Sequence, residues 1–282
     1  MSTRAQHYFV PQPSHWMIFG SLALLCMASG AAAWFNGVEN ARFLVLAGFA
    51  ILVFMMFRWF GDVIGESEGA KYGSWEDVSF RWGMSWFIFS EVMFFAAFFG
   101  ALFYARVLAI PDLGSLEQKL LWPDFTAQWP TSGPFLADPF TPMKAWGIPA
   151  INTLLLLSSG VTITVAHHAL KENLRGRLIL FMFFTIALGL TFLGLQAYEY
   201  SHAYSELNLK LSTGIYGSTF FMLTGFHGFH VTVGATMLIV ILVRCIKGHF
   251  KPEHHFAFEG VAWYWHFVDV VWLGLFVTVY WL

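Results

Sequence analysis

EGVAWYWHFVDVVWLGLFVTVYWL, residues 259–282, is the stretch whose reading decides the fold. It is long enough to cross a bilayer as a helix, which needs about 20 apolar residues. His266 and Asp269 lie near its middle. A carboxylate at mid-membrane costs roughly 2.5–3.5 kcal/mol on insertion scales. A chain that accepts this cost turns such groups toward protein, water or headgroups. On a helix, residues three apart share a face, so His266 and Asp269 do, and Glu259, seven residues earlier, joins them nearer the membrane surface.

The rest of the chain extends the same pattern. Of its 282 residues 57% are hydrophobic and 11% charged, against about 25% charged in soluble domains. This marks a polytopic membrane protein. The net charge of −2 makes no electrostatic case for nucleic acid. Cys26 and Cys245 form neither a CxxC pair nor a disulfide framework. Arg4 ahead of an apolar run, with Ser29-Gly30-Ala31-Ala32-Ala33 after it, resembles a secretory signal. The polar and proline residues ahead of the run favour a retained first helix.

Hydropathy predicts an all-α bundle of seven transmembrane helices, over 15–34, 41–64, 81–107, 147–170, 177–201, 214–244 and 257–282. Trp16, Trp34, Trp59, Trp82, Trp146 and Trp281 sit at span ends. With a cytoplasmic N-terminus, the inner side holds Arg4, Arg58, Lys71, Arg81, Lys171, Arg175, Arg177, Arg244, Lys247 and Lys251. The outer side holds only Arg42, Arg106, Lys119, Lys144 and Lys210. The positive-inside rule therefore places the N-terminus in the cytoplasm. The glycine-rich stretch Gly65–Ser74 reads as a flexible linker. It divides the single membrane domain, 1–282, into helices one and two with the linker (1–73) and helices three to seven (74–282). Pro111–Pro149 is a long outer loop that caps the surface. No internal repeat is evident.

Several polar residues interrupt the apolar spans. Glu91 sits about ten residues into helix three among Phe87, Phe89, Phe94, Phe95, Phe98 and Phe99. It reads as a proton-active carboxylate or headgroup contact, or equally as a protonated acid bonded to a neighbouring helix. Either form should react with hydrophobic carbodiimides. His227 and His230 lie mid-way along helix six at the depth of His266 and Asp269, and these four read as a buried polar cluster. Interhelical hydrogen bonding outweighs a metal or haem site there. Asp62 and Glu66, just after Trp59, suit headgroup amines or a solvated helix end. His167 and His168 close helix four. His249, His254 and His255 share a loop with Arg244, Lys247 and Lys251. This basic rim suits anionic headgroups. The spacing of His249, His254 and His255 superficially resembles a di-iron histidine box, but no second box accompanies it. Walker A, GxSxG, CxxCH and GxGxxG motifs are missing. Nothing here forms an autonomous active site.

Longer strings resemble one family closely. SEVMFF within Trp82–Phe95, NTLLLLSSGVTITVAHHAL at 152–170, GIYGSTFFMLTGFHGFHVT at 214–232 and HHFAFEGVAWYWHFVDVVW at 254–272 are similar to subunit III of haem–copper (aa3-type) cytochrome c oxidase. Trp59–Glu66 and Ser14–Trp34 fit as well. The similarity spans the chain except the outer loop after helix three. The resemblance implies helices one and two leaning away from the other five, with phospholipids in the cleft between. It implies no catalytic residue, no metal and no cofactor in this chain, with haem a and copper in partner subunits. It implies contact with subunits I and II, mainly I, and with a small subunit IV, and cytochrome c as donor to a complex that reduces O2 and pumps protons. Subunit III is then expected to bind structural phospholipid, support proton uptake and protect the catalytic subunit from turnover inactivation. Glu91 matches the carbodiimide-reactive glutamate. Trp59, Asp62 and Glu66 match lipid-cleft residues, and Arg244, Lys247 and His249 match basic positions that meet lipid phosphates. Gly65 departs from a frequent arginine, and Lys71 and Tyr72 from histidine or threonine. Quinol-oxidase relatives have five helices, so seven favour a cytochrome c enzyme. The long outer loop and acidic linker favour a bacterial inner membrane over a mitochondrial one. Two rivals stand beside this reading. One is a metal enzyme using His167, His168, His249, His254 and His255. The other is a transporter with Glu91 in its path, for which neither inverted repeats nor broken helices are evident.

Overall fold

The computed structural model describes residues 9, 10, 13–136 and 139–282. Arg4, counted in the charge bias, lies outside them. Among the described residues the chain is helical, with seven helices long and apolar enough to cross a membrane. They are α1 (Trp16–Phe35), α2 (Ala41–Glu68), α3 (Ser74–Phe103), α4 (Ile148–Lys171), α5 (Arg175–Ser205), α6 (Gly214–Lys247) and α7 (Phe256–Leu275). A π-helical turn, Tyr104–Ala109, carries α3 on to Leu113, and a second, Phe276–Trp281, extends α7. The chain forms two compact units, 1–80 and 81–282.

The linker expected over Gly65–Ser74 is shorter than the sequence suggests. Helix α2 continues through Glu68 and α3 begins at Ser74, well before residue 81. Glu76 explains the early start. Its carboxylate accepts the backbone N–H groups of Gly73, at 2.8 Å, and Phe9, at 2.7 Å. Together with Asp77 it places negative charge in the first turn, where the helix dipole favours it. Only Gly69–Gly73 remain as connection.

In the first unit, α1 buries Trp16, Ala23 and Gly30, and α2 buries Ala41, Gly48 and Met55. Both sets repeat every seven residues, which defines a narrow seam between two helices. Small residues bring the backbones together there, as in membrane helix pairs generally. A Cβ on Gly48 would lie 2.7 Å from the Ala23 carbonyl oxygen and 2.9 Å from the Met27 nitrogen. Neither backbone atom can swing aside. Gly48→Val should therefore part the helices at a cost of about 1–3 kcal/mol, the usual range for overpacking. The check is detergent unfolding of the variant beside wild type. Equal resistance would mean the seam is not tight.

The second unit packs around α7. Trp265 is fully buried, and its Nε1–H donates to Ser159 Oγ on α4 at 2.8 Å. Gly189 on α5 and Gly234 on α6 leave the space its ring fills: a Cβ on either would sit 2.7 Å or 2.9 Å from the indole. One side chain thus joins four helices. Trp272 repeats the theme one level along, with Nε1–H to Thr153 Oγ1 at 2.9 Å and Phe192 edge-on at 4.8 Å. Thr162 and Thr185 bond across α4 and α5 at 2.8 Å. Helix α3 joins through rings, with Phe94 and Phe98 each 5.1 Å from Phe226. The long loop after α3 folds onto the start of α6, where Ser132 and Thr131 carbonyls accept from Ile215 and Tyr216 N–H at 3.4 and 3.3 Å. These are donors that a helix start leaves without internal partners.

Candidate functional site

The polar side chains of the second unit gather at three levels. At mid-span, Glu91 on α3 meets His230 on α6, Oε2 to Nε2 at 2.7 Å. Phe95 and Phe94 rings flank the imidazole at 5.0 and 5.7 Å. His230 Nδ1 lies 2.7 Å from the Phe226 carbonyl oxygen. A carbonyl only accepts, so Nδ1 carries a proton and donates it. Neutral His230 then has a bare Nε2, and the short contact to Glu91 needs one proton between them. The pair holds that proton as a carboxylic acid facing imidazole or as carboxylate facing imidazolium.

The four residues read as one buried cluster separate in the structure. His227 bonds the Val268 carbonyl at 3.2 Å, and His230 turns to Glu91. Three-residue spacing rotates the two rings to different neighbours. His266 is exposed within this chain; its Nδ1 lies 3.6 Å from Asp269 Oδ2 and its Nε2 3.3 Å from Thr164 Oγ1. Asp269 is buried against α4, in room made by Gly160, where a Cβ would collide with its carboxylate.

At one end of the unit, Glu259 on the first turn of α7 and His255 just before it meet His167 from the last turns of α4 and Arg81 from α3. Arg81 pairs with Glu259 Oε2, and Oε1 lies 3.2 Å from His255 Nε2 and 3.5 Å from His167 Nε2. Close by, α6 ends in a Schellman motif. Gly248, at φ +78°, and His249 donate backbone N–H groups to Cys245 and Arg244 carbonyls at 3.1 Å each. This turns Phe250 under the Arg244 guanidinium, 4.5 Å from the ring centre. Arg244 is buried, Lys247 exposed and His249 half-buried. Beside them opens a recess of about 220 Å3 lined by Leu170, Asn173, Arg175, Phe250 and Lys251 among others.

At the other end, Glu199 on α5 is 1% exposed and accepts from Tyr280 O–H at 2.6 Å. Tyr200 and Thr224 hydroxyls bond nearby at 2.7 Å. The sequence reading does not single out Glu199, because QAYEY near a span end looks like an interfacial carboxylate. The bond to Tyr280, 81 residues away, is what removes it from water.

In the first unit Trp59 is exposed, and its neighbours are engaged. Asp62 Oδ2 accepts from Trp16 Nε1–H at 2.7 Å, and Glu66 Oε2 accepts from Tyr72 O–H at 2.7 Å. Burial, then the hydrogen bond to Glu66 and its charge, push the Tyr72 hydroxyl well above its ordinary pKa.

The chain has close relatives. A family model described as cytochrome c oxidase subunit III matches residues 6–282. The cytochrome c oxidase subunit 3 of Latimeria chalumnae is 44% identical over 272 residues, covering 96% of this chain and 95% of the relative. That of Dugong dugon is 43% identical over 274 residues with the same coverage, and that of Phoca vitulina 42% over 272.

Proposed function

This chain belongs to the cytochrome c oxidase subunit III family, and from that premise we propose that it is an accessory subunit without a redox centre. It holds structural phospholipid, supports proton uptake and protects the catalytic subunit during turnover. Haem a and copper reside in subunits I and II, its main neighbours, with a small subunit IV completing the assembly and cytochrome c as donor. The N-terminus is cytoplasmic, which puts the Arg81–Glu259 end on the inner face. The long loop after α3 and the acidic residues around Glu66 favour a bacterial inner membrane.

The observation that carries the lipid reading is the recess at the end of α6. Its lining includes the exposed Arg175, which also donates to the Ile246 carbonyl, and Lys251, together with the apolar Leu170, Leu178 and Phe250, and Lys247 is exposed on the last turn of α6. Cationic donors beside apolar side chains are what a phosphate headgroup and the start of its acyl chains require. Arg244 serves indirectly, since its guanidinium lies on Phe250 and supports the wall. Asp62 and Glu66 support the reading for the first unit more weakly, because Trp16 and Tyr72 already engage them.

The experiment is native mass spectrometry of the purified complex carrying Lys247→Gln with Lys251→Gln. Both lysines are exposed, so folding should hold. The variant should lose one tightly held phospholipid, keep its initial turnover rate and inactivate after fewer turnovers. Unchanged lipid content would overturn the assignment of this recess.

A further inference from the structure

We propose that His167, His255 and Glu259 form a binding site for a zinc-type divalent cation at the end of the second unit. The site comes from three elements of one compact unit: the last turns of α4, the residue before α7 and the first turn of α7. His167 Nε2, His255 Nε2 and Glu259 Oε1 lie 3.2, 3.5 and 3.2 Å from one another. Bonds of about 2.0–2.1 Å at tetrahedral angles place adjacent ligand atoms about 3.3 Å apart. The three distances fit one face of that tetrahedron. A fourth position is left for water, as open zinc sites have it.

The hydrogen-bond partners around the triangle argue for a cation. His255 Nδ1 lies 3.2 Å from the Lys251 carbonyl oxygen, so it carries the proton and leaves Nε2 bare. That bare nitrogen faces Glu259 Oε1, also a pure acceptor when ionised. Arg81 holds the other carboxylate oxygen and so directs Oε1 inward. The remaining donor is His167 Nε2–H, one proton for two acceptors. With His255 neutral, the triangle is short of one donor, and a metal ion at its centre satisfies all three atoms. His167 then carries its proton on Nδ1 instead. The carbonyl behind His255 and the guanidinium behind Glu259 are the outer partners that orient metal ligands in known sites. Two imidazoles and one carboxylate suit zinc better than magnesium or calcium, which prefer all-oxygen shells. The rim is reachable: His167 is 22% exposed and Glu259 12%. The alternative occupant is a second proton, making His255 an imidazolium that donates to Glu259.

The test uses the whole oxidase complex, stripped with chelator, equilibrated at buffered free zinc and counted by elemental mass spectrometry. Wild type should hold one zinc more than His167→Ala or Glu259→Gln. Equal zinc in all three would overturn the site and leave His255 as an imidazolium. If the variants shed this chain, zinc-edge anomalous scattering from zinc-soaked wild-type crystals decides. A peak at the centre of the triangle supports the site, and none there overturns it.

Discussion

Trp265→Ala should destabilise the second unit by about 3–5 kcal/mol, the cost of removing a fully buried large aromatic side chain. This one side chain joins α4, α5, α6 and α7. Its ring lies in the space left by Gly189 and Gly234, and its N–H reaches Ser159. The small residues make the loss worse. With glycine on both sides, nothing adjacent can lean in to fill the cavity. Ser159 keeps its own bond to the Leu156 carbonyl at 2.6 Å, so the hydroxyl is not left bare. Trp265→Phe therefore separates the two contributions. It restores most of the volume and forfeits one hydrogen bond, for about 1 kcal/mol besides the smaller ring. Gly189→Val tests the same contact from the other side by putting methyl groups where the indole lies. The measurement is thermal release of this chain from the purified complex. Release of Trp265→Ala at the wild-type temperature would show that the central packing lies elsewhere.

What is legible in the sequence divides along local and non-local lines. Seven apolar runs announce seven helices, because a span is a local property of about 20 residues. Hydropathy misplaces the start of α3 for a reason equally physical. The apolar window opens only at residue 81 because Glu76 and Asp77 precede it, but Glu76 caps a helix that starts at Ser74, with help from Phe9, 67 residues away. The histidines show the same limit. Spacing puts His227 and His230 near one another and near His266 and Asp269 in depth, yet hydrogen bonds pair residues by rotation as well as by depth. His230 faces α3, and His227 faces the α7 backbone. Seven-residue spacing places Glu259 on the face of His266. The structure gives it to His255, His167 and Arg81, three partners that only the packing of α3, α4 and α7 brings together.

Glu91→Gln should abolish carbodiimide labelling of this chain while the complex keeps its initial oxidase rate. The first half follows from chemistry. Carbodiimides react with the protonated carboxyl, and Glu91 is bonded to His230 through one proton on a helix lined by Phe94 and Phe95. The substituted amide keeps an N–H for His230 Nε2 and removes only the reactive acid. The second half follows from the accessory role proposed for the chain. Under that proposal no step of oxygen reduction passes through the Glu91–His230 pair. A companion variant tells the two proton positions apart. His230→Phe keeps the ring volume among the phenylalanines and removes the base. With no imidazole to take the proton, the carboxyl is no longer held as a carboxylate–imidazolium pair, and labelling should proceed faster than in wild type. If His230→Phe labels at the wild-type rate, the neutral acid already predominates in the native pair. If Glu91→Gln stops turnover altogether, the accessory role fails and Glu91 lies on a proton path that turnover requires. The hydrogen bond at 2.7 Å makes the first result the expected one. A proton held between two partners and backed by the Phe226 carbonyl ties α3 to α6, and interhelical bonds of this kind hold membrane bundles together.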